Sequence, residues 1–222
     1  MDILFFLKER TRFIRYFYET AAAPFREIVR KIEVGEAPFV PEYGEDEEPP
    51  FLIEWQEADT GTHIVGEACI SMLSEALRLY FHTWESELQI QLKEDERKRL
   101  FKNGFIQGYQ CYFRDNLKIT WDECPVDFDL LEQITLARNA AQHPEDILTM
   151  KASHNMRARK RFPSPFFVSD QERHMVSVSN PLAKWFAPSI HVSVDKLMAA
   201  IYQVELLADW LEDRLIAVRE QR

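Results

Sequence analysis

One segment holds residue types that together can cleave a phosphodiester: Leu136-Ala137-Arg138-Asn139-Ala140-Ala141-Gln142-His143-Pro144. Asn139 and His143 are four apart, so on a helix they share a face, with Arg138 about 100° round from Asn139. Pro144 disfavours helical geometry at His143, so the helix should stop there and free the imidazole. A guanidinium fork pairs with non-bridging phosphate oxygens and stabilises developing charge. A histidine can take the proton of a ribose 2′-hydroxyl, or give one to the leaving 5′-oxygen, near neutral pH. Asn139 can hold the imidazole or contact the phosphate. With a 2′-hydroxyl nucleophile no metal is required. Arg138, Asn139 and His143 are therefore the candidate catalytic residues; alternatively, an Arg and a His at a helix end satisfy its last carbonyls.

Eight residues after His143 begins a basic stretch, 151–161, holding Lys151, Arg157, Arg159, Lys160 and Arg161 and no acid. It reads either as a solvated loop of like charges or as an RNA-binding loop that grips backbone phosphates without reading bases. His154 within it reads as a surface histidine, with phosphate contact as the alternative.

Helices must position these groups. Asp127 can cap a helix running to about 142, with Leu130, Ile134, Ala137 and Ala141 inward. A long helix is predicted over 61–92, burying Val65, Cys69, Met72, Ala76, Leu79 and Leu88, with Glu67, Ser71, Ser74, Glu75, Arg78 and His82 on a wet side. Another is predicted over about 95–114, with Phe101, Phe105, Tyr109 and Tyr112 on one stripe and Gly104 and Gly108 marking close packing. Ser193 caps a terminal helix of about 194–220. Its seam, Leu197, Ile201, Val204, Ala208, Leu211, Leu215 and Val218, packs on a neighbouring helix or a second subunit, the intrachain use being favoured. At the N-terminus, 2–20 forms an amphipathic helix whose Phe6, Phe13 and Phe17 read as core beside Ile3, Leu7 and Ile14, and Pro24 opens a second short helix. Four prolines and the acidic run Glu42, Glu45, Asp46, Glu47 and Glu48 mark 34–50 as an exposed loop. Residues 144–193 are irregular, with a short hairpin pairing 166–168 and 175–178. The fold class is thus mainly α, with an N-terminal helical extension and acidic loop over 1–60 and a helical domain over 61–222 carrying an insertion at about 162–192.

Composition narrows the functional classes. The net charge of −10 argues against a protein that coats nucleic acid along its whole surface. No trio of the six glycines spells G-x-G-x-x-G, and Gly66 precedes Glu67 where a P-loop needs lysine, so any bound phosphate is held by side chains. The three cysteines form no C-x-x-C pair, and no two histidines bracket a carboxylate at ligand spacing, so neither a metal nor another cofactor is expected. Widely spaced thiols suit a reducing, cytoplasmic setting. Asp2 precedes the apolar run at 3–7 and five charged residues follow by Arg15, which is unlike a signal peptide; no membrane association is expected.

The run Arg138-Asn139-Ala-Ala-Gln-His143 at the end of the later helix of a long-helix pair resembles the HEPN superfamily, whose pattern is R-x(4–6)-H with Asn favoured after Arg. The resemblance covers about 61–220 and is carried by those six residues and the helix order. It implies a HEPN-like helical bundle, a homodimer whose two motifs meet across a cleft, and metal-independent endoribonuclease activity on RNA. It further implies a toxin or phage-defence role, with an antitoxin or nucleotidyltransferase partner. Some HEPN proteins are not nucleases, which leaves a catalytically inactive RNA-binding or scaffold protein as the alternative. A third reading is a regulator that docks a partner through the apolar N-terminal helices.

Overall fold

The computed structural model describes residues 2–41, 49–90, 92–143, 151–177 and 187–221. It is mainly helical, and no strand occurs among the described residues beyond an isolated Ser153–Ser189 bridge. Helix α1, Ile3–Val34, starts at Asp2, whose side chain accepts the Phe5 N–H, and ends at left-handed Gly35. It runs straight through Pro24. The expected break fails because both halves lie on one partner, α2, Leu52–Glu87: the Phe25 ring sits over Gly61, and Ile14 and Phe13 line a hollow with Met72 and Ala76. Packing along a whole helix outweighs the hydrogen bond that proline removes. The domain boundary expected near residue 60 falls inside α2, and Ile3, Leu7, Ile14 and Tyr18 belong to the same core as the rest of the bundle. The acidic run at 42–48 lies outside the described residues.

Helix α2 is the central element and is buried on more than one side. Ser74 is buried, and Glu67 reaches across to accept the Ala152 N–H at 3.1 Å, so neither belongs to a wet face. The terminal helix, Val194–Glu220 and here α8, begins at the Ser193 cap and lies parallel to α2. Gly66 meets Val192 at one end, and Tyr80 Oη and Trp84 Nε1 both donate to Glu212 Oε2 farther along. The seam Leu197, Ile201, Val204, Ala208, Leu211 and Leu215 is wholly buried inside the chain. Thr11 and Arg15 donate to Glu205, and Lys8 pairs with Asp209, tying α1 antiparallel to α8.

The approach of α2 to α8 is set at Gly66. A Cβ there would stand 2.8 Å from the Val192 carbonyl oxygen, which already accepts the Tyr18 hydroxyl at 3.1 Å. Backbone held in that way cannot retreat. Gly66→Ala should therefore lose about 1 kcal/mol net, overpacking of roughly 1–3 kcal/mol exceeding the ~1 kcal/mol gained in helix propensity. Denaturant titration checks this, and a stabilised variant would overturn it.

Two expectations between 94 and 177 are corrected. The aromatic helix is divided: α3, Glu94–Leu100, continues through a 3₁₀ turn, Phe101–Asn103, and stops at Gly104, after which α4 spans Phe105–Leu117. Gly104 has φ 146°, a left-handed conformation that only glycine adopts freely, so it breaks the helix, and it also packs closely, against the Glu132 carboxylate. Gly108 marks close packing, against the Phe101 ring. The rings still assemble, with Tyr109 stacked on Phe81 at 4.2 Å. The expected hairpin is absent. Residues Asp170–Ser177 form a helix, here called α7, because the Ser169 hydroxyl accepts the Glu172 N–H and two acids occupy the first turn. The rest of that hairpin, residue 178, lies outside the described residues.

Candidate functional site

Helix α5, Phe128–Gln142, carries the Arg-Asn-His segment. Asp127 caps it as expected, accepting the Leu130 N–H at 2.9 Å, while Leu130, Leu131, Ile134 and Ala137 enter the core. The last helical turn closes with the His143 N–H on the Asn139 carbonyl at 3.0 Å, and His143 itself leaves helical geometry at φ −129°, ψ 65°. Pro144 lies outside the described residues. Asn139 and His143 are exposed, and Arg138 is half-buried at the flank of the helix. Its Nη1 donates to Asn139 Oδ1 at 2.9 Å.

Arg138 also bears on α2. Glu75 is held below the usual carboxylate range first by its hydrogen bonds from Arg78, at 2.6 and 2.7 Å, and then by the charges of Arg78, Arg138 and Arg10. Arg10 of α1 and Glu75 of α2 line one hollow, and Arg138 of α5 is near enough for its charge to act on Glu75. Sequence spacing could not reveal this, since three separate helices supply the groups.

The basic segment is not a loop. Asn155 accepts the Ala158 N–H and starts a short helix, α6, Met156–Arg161. Lys151 lies before it and pairs with Asp59 at 2.7 Å, near the start of α2. Arg161 donates to the Asn103 carbonyl at 2.8 Å and stands 3.7 Å from Glu132. Arg157 and Lys160 are exposed and Arg159 is half-buried. On α5, Glu132, Asn139 and His143 follow at i, i+7 and i+11, so Arg161 lies beside the stripe that carries the histidine. It is about 10 Å from Asn139 along the axis at roughly 1.5 Å per residue. Of the five cations, Lys151 and Arg161 have structural partners, while α6 presents Arg157 and Lys160 to solvent.

His154 is neither a surface histidine nor a phosphate contact. It is buried, with Nε2 2.7 Å from the Phe167 carbonyl oxygen. It belongs to a group of histidines that sequence reading missed, since they come from three segments. The His63 and His191 rings meet edge to face at 4.9 Å, and His63 Nε2 lies 3.7 Å from Asp59. Burial pushes all three pKa values down from 6.5; Lys151 and Lys196 add to this at His63 and His191 respectively, and Asp59 and Glu172 oppose it.

These histidines take up protons less readily when folded than when unfolded. The unfolded chain then binds more protons below pH 6.5, so stability falls as pH drops below that value. The slope is up to about 1.4 kcal/mol per pH unit for each histidine. Melting curves from pH 7.5 to 5 should show the decline, and a flat profile would refute it. Among the described residues no group of three or more His, Cys, Asp or Glu side chains is arranged to hold a metal ion. No described helix is long and apolar enough to cross a membrane.

Comparison with family models, with curated proteins and with solved structures finds no match.

Proposed function

We propose that this chain is a metal-independent endoribonuclease of HEPN type, acting through Arg138 and His143. The observation that carries the reading is that Asn139 and His143 are exposed on the last turns of α5 with half-buried Arg138 beside them, while the core side is filled by other residues. His143 is exposed and non-helical, free to reach a substrate, and the Arg138 guanidinium has its side-chain hydrogen bond with its neighbour Asn139.

In the proposed reaction a ribose O2′ attacks the adjacent phosphorus and its proton passes to a base. The P–O5′ bond breaks and the leaving oxygen takes up a proton. A 2′,3′-cyclic phosphate and a 5′-hydroxyl result. His143 performs one of the two proton transfers, and Arg138 stabilises the charge that builds on the non-bridging oxygens. A second copy facing this surface would supply the other histidine. The exposed cations of α6 would hold flanking phosphates.

The test is incubation of a mixed RNA pool with the full chain in EDTA, followed by end-group analysis. RNA left intact, or cut equally well by His143→Ala, would sink the proposal.

A further inference from the structure

Helix α1 carries two apolar stripes, and only one is in the core. Ile3, Leu7, Ile14 and Tyr18 are buried, whereas Phe6 and Phe13 are 56% and 53% exposed. The expectation that Phe6, Phe13 and Phe17 are core is corrected for the first two: a helix packed on α2 and α8 through its aliphatic side leaves Phe6 and Phe13 outside, while Phe17 packs partly buried against the core. Phe6, Arg10 and Phe13 follow at i, i+4 and i+7, placing a cation between two rings about 10 Å apart along the axis at roughly 1.5 Å per residue. This stripe forms one wall of a groove whose other wall is α2. Two adjoining hollows share Phe6, Arg10 and Ala76, one reaching Leu79 and Thr83 and the other Met72 and Glu75.

The charges bordering the groove are unevenly matched. Glu9 pairs with Arg12 at 2.5 Å, and Glu75 takes both its oxygens to Arg78. Arg10 lines the same hollow as Glu75, whose carboxyl also feels the charge of Arg138, and neither arginine has an ion pair within 4.0 Å among the described residues. The groove therefore offers two exposed phenylalanines together with Arg10, which has no ion pair among the described residues, and the nearby charge of Arg138, in a chain whose net charge is −10. A second copy whose two-fold axis passed through this groove, and not over the end of α5, would bring Arg10 towards Arg10. A polyanion with planar bases meets no such penalty and uses both features at once, the rings by stacking and the guanidinium groups by pairing with phosphate. The ring separation matches two or three nucleotides at roughly 3.4 Å or more per step.

We infer that the Phe6–Arg10–Phe13 stripe and the α2 wall facing it form a binding site for single-stranded RNA, with bases stacked on Phe6 and Phe13 and phosphates on Arg10 and Arg138. The inference rests on the nuclease reading for its ligand, and it leads the strand to Arg138 and so to His143.

The test is fluorescence anisotropy of the full chain with a labelled, mixed-sequence 2′-O-methyl RNA 12-mer, which 2′-hydroxyl chemistry cannot cut. Phe6→Ala and Phe13→Ala should each weaken binding about tenfold, and Phe13→Tyr should retain it. Arg10→Ala should reduce the slope of log K against log salt by about 0.7. The duplex of the same sequence should bind more weakly. Both rings are exposed, so unchanged melting curves identify a binding effect. Wild-type affinity in Phe6→Ala/Phe13→Ala overturns the inference. So does conversion of a dimer to a monomer with RNA affinity retained, which would assign the face to a second copy. Ring-dependent binding by a wild-type chain that leaves natural RNA intact sinks the nuclease reading alone. Cleavage with ring-independent affinity sinks this inference alone.

Discussion

In EDTA, Arg138→Ala and His143→Ala should each reduce RNA cleavage by about 10²–10³-fold relative to the wild type. That range is the usual loss when one proton-transfer group or one charge-stabilising donor is removed from phosphoryl chemistry. Arg138→Lys should recover little of it, because a lysine ammonium lacks the planar fork that pairs with two phosphate oxygens. Asn139→Ala removes only the acceptor that orients the guanidinium, at 2.9 Å, and should cost about tenfold. Asn139 and His143 are exposed and Arg138 is half-buried at the helix flank, so these variants should unfold within about 0.5 kcal/mol of the wild type. That separates a catalytic loss from a folding loss. If His143→Ala cleaves at the wild-type rate, the assignment of the imidazole fails whatever the arginine does.

The largest stability loss should follow Glu132→Ala, about 3–4 kcal/mol, because it strands two buried backbone donors at once. The Glu132 side chain is 2% exposed, and its two oxygens accept the Phe105 and Ile106 N–H groups at 3.1 and 3.0 Å. These are first-turn donors of α4, which have no partner within their own helix. A carboxylate there also lies at the positive end of the helix dipole. Glu132→Gln keeps an acceptor for one of the two donors and should lose about half as much. Arg161→Ala, which removes a partly exposed ion pair at 3.7 Å and an exposed hydrogen bond to the Asn103 carbonyl, should cost about 1 kcal/mol. Gly104→Ala tests the same junction from the other side, since a Cβ would stand 2.6 Å from the Glu132 carboxylate and φ is 146°. Urea titration of the four variants gives the order, and a Glu132→Ala chain as stable as the wild type would show that α4 is not anchored in this way.

The features legible in the sequence were those written within one or two helical turns. Asp127 and Ser193 marked the starts of α5 and α8 because a capping side chain bonds an N–H three residues on. The stop at His143 was legible because proline restricts the residue before it. The α8 seam was legible because a 3.6-residue period repeats over many turns. Arg138, Asn139 and His143 could be singled out as candidates for the same reason, lying within six residues at one helix end. Only the tertiary structure decided which of two apolar stripes on α1 is buried, since periodicity reports that a helix has faces and not which one a neighbour covers. It also decided that Pro24 stays within a helix, that Ser169 starts a helix in place of a hairpin, and that Glu132 closes α4 from another segment. The histidines 63, 154 and 191, and the nearness of Arg10 and Arg138 to Glu75, were beyond sequence reading on the same physical ground. Caps and periods are local interactions encoded in neighbouring residues, whereas these contacts exist only after distant segments have packed.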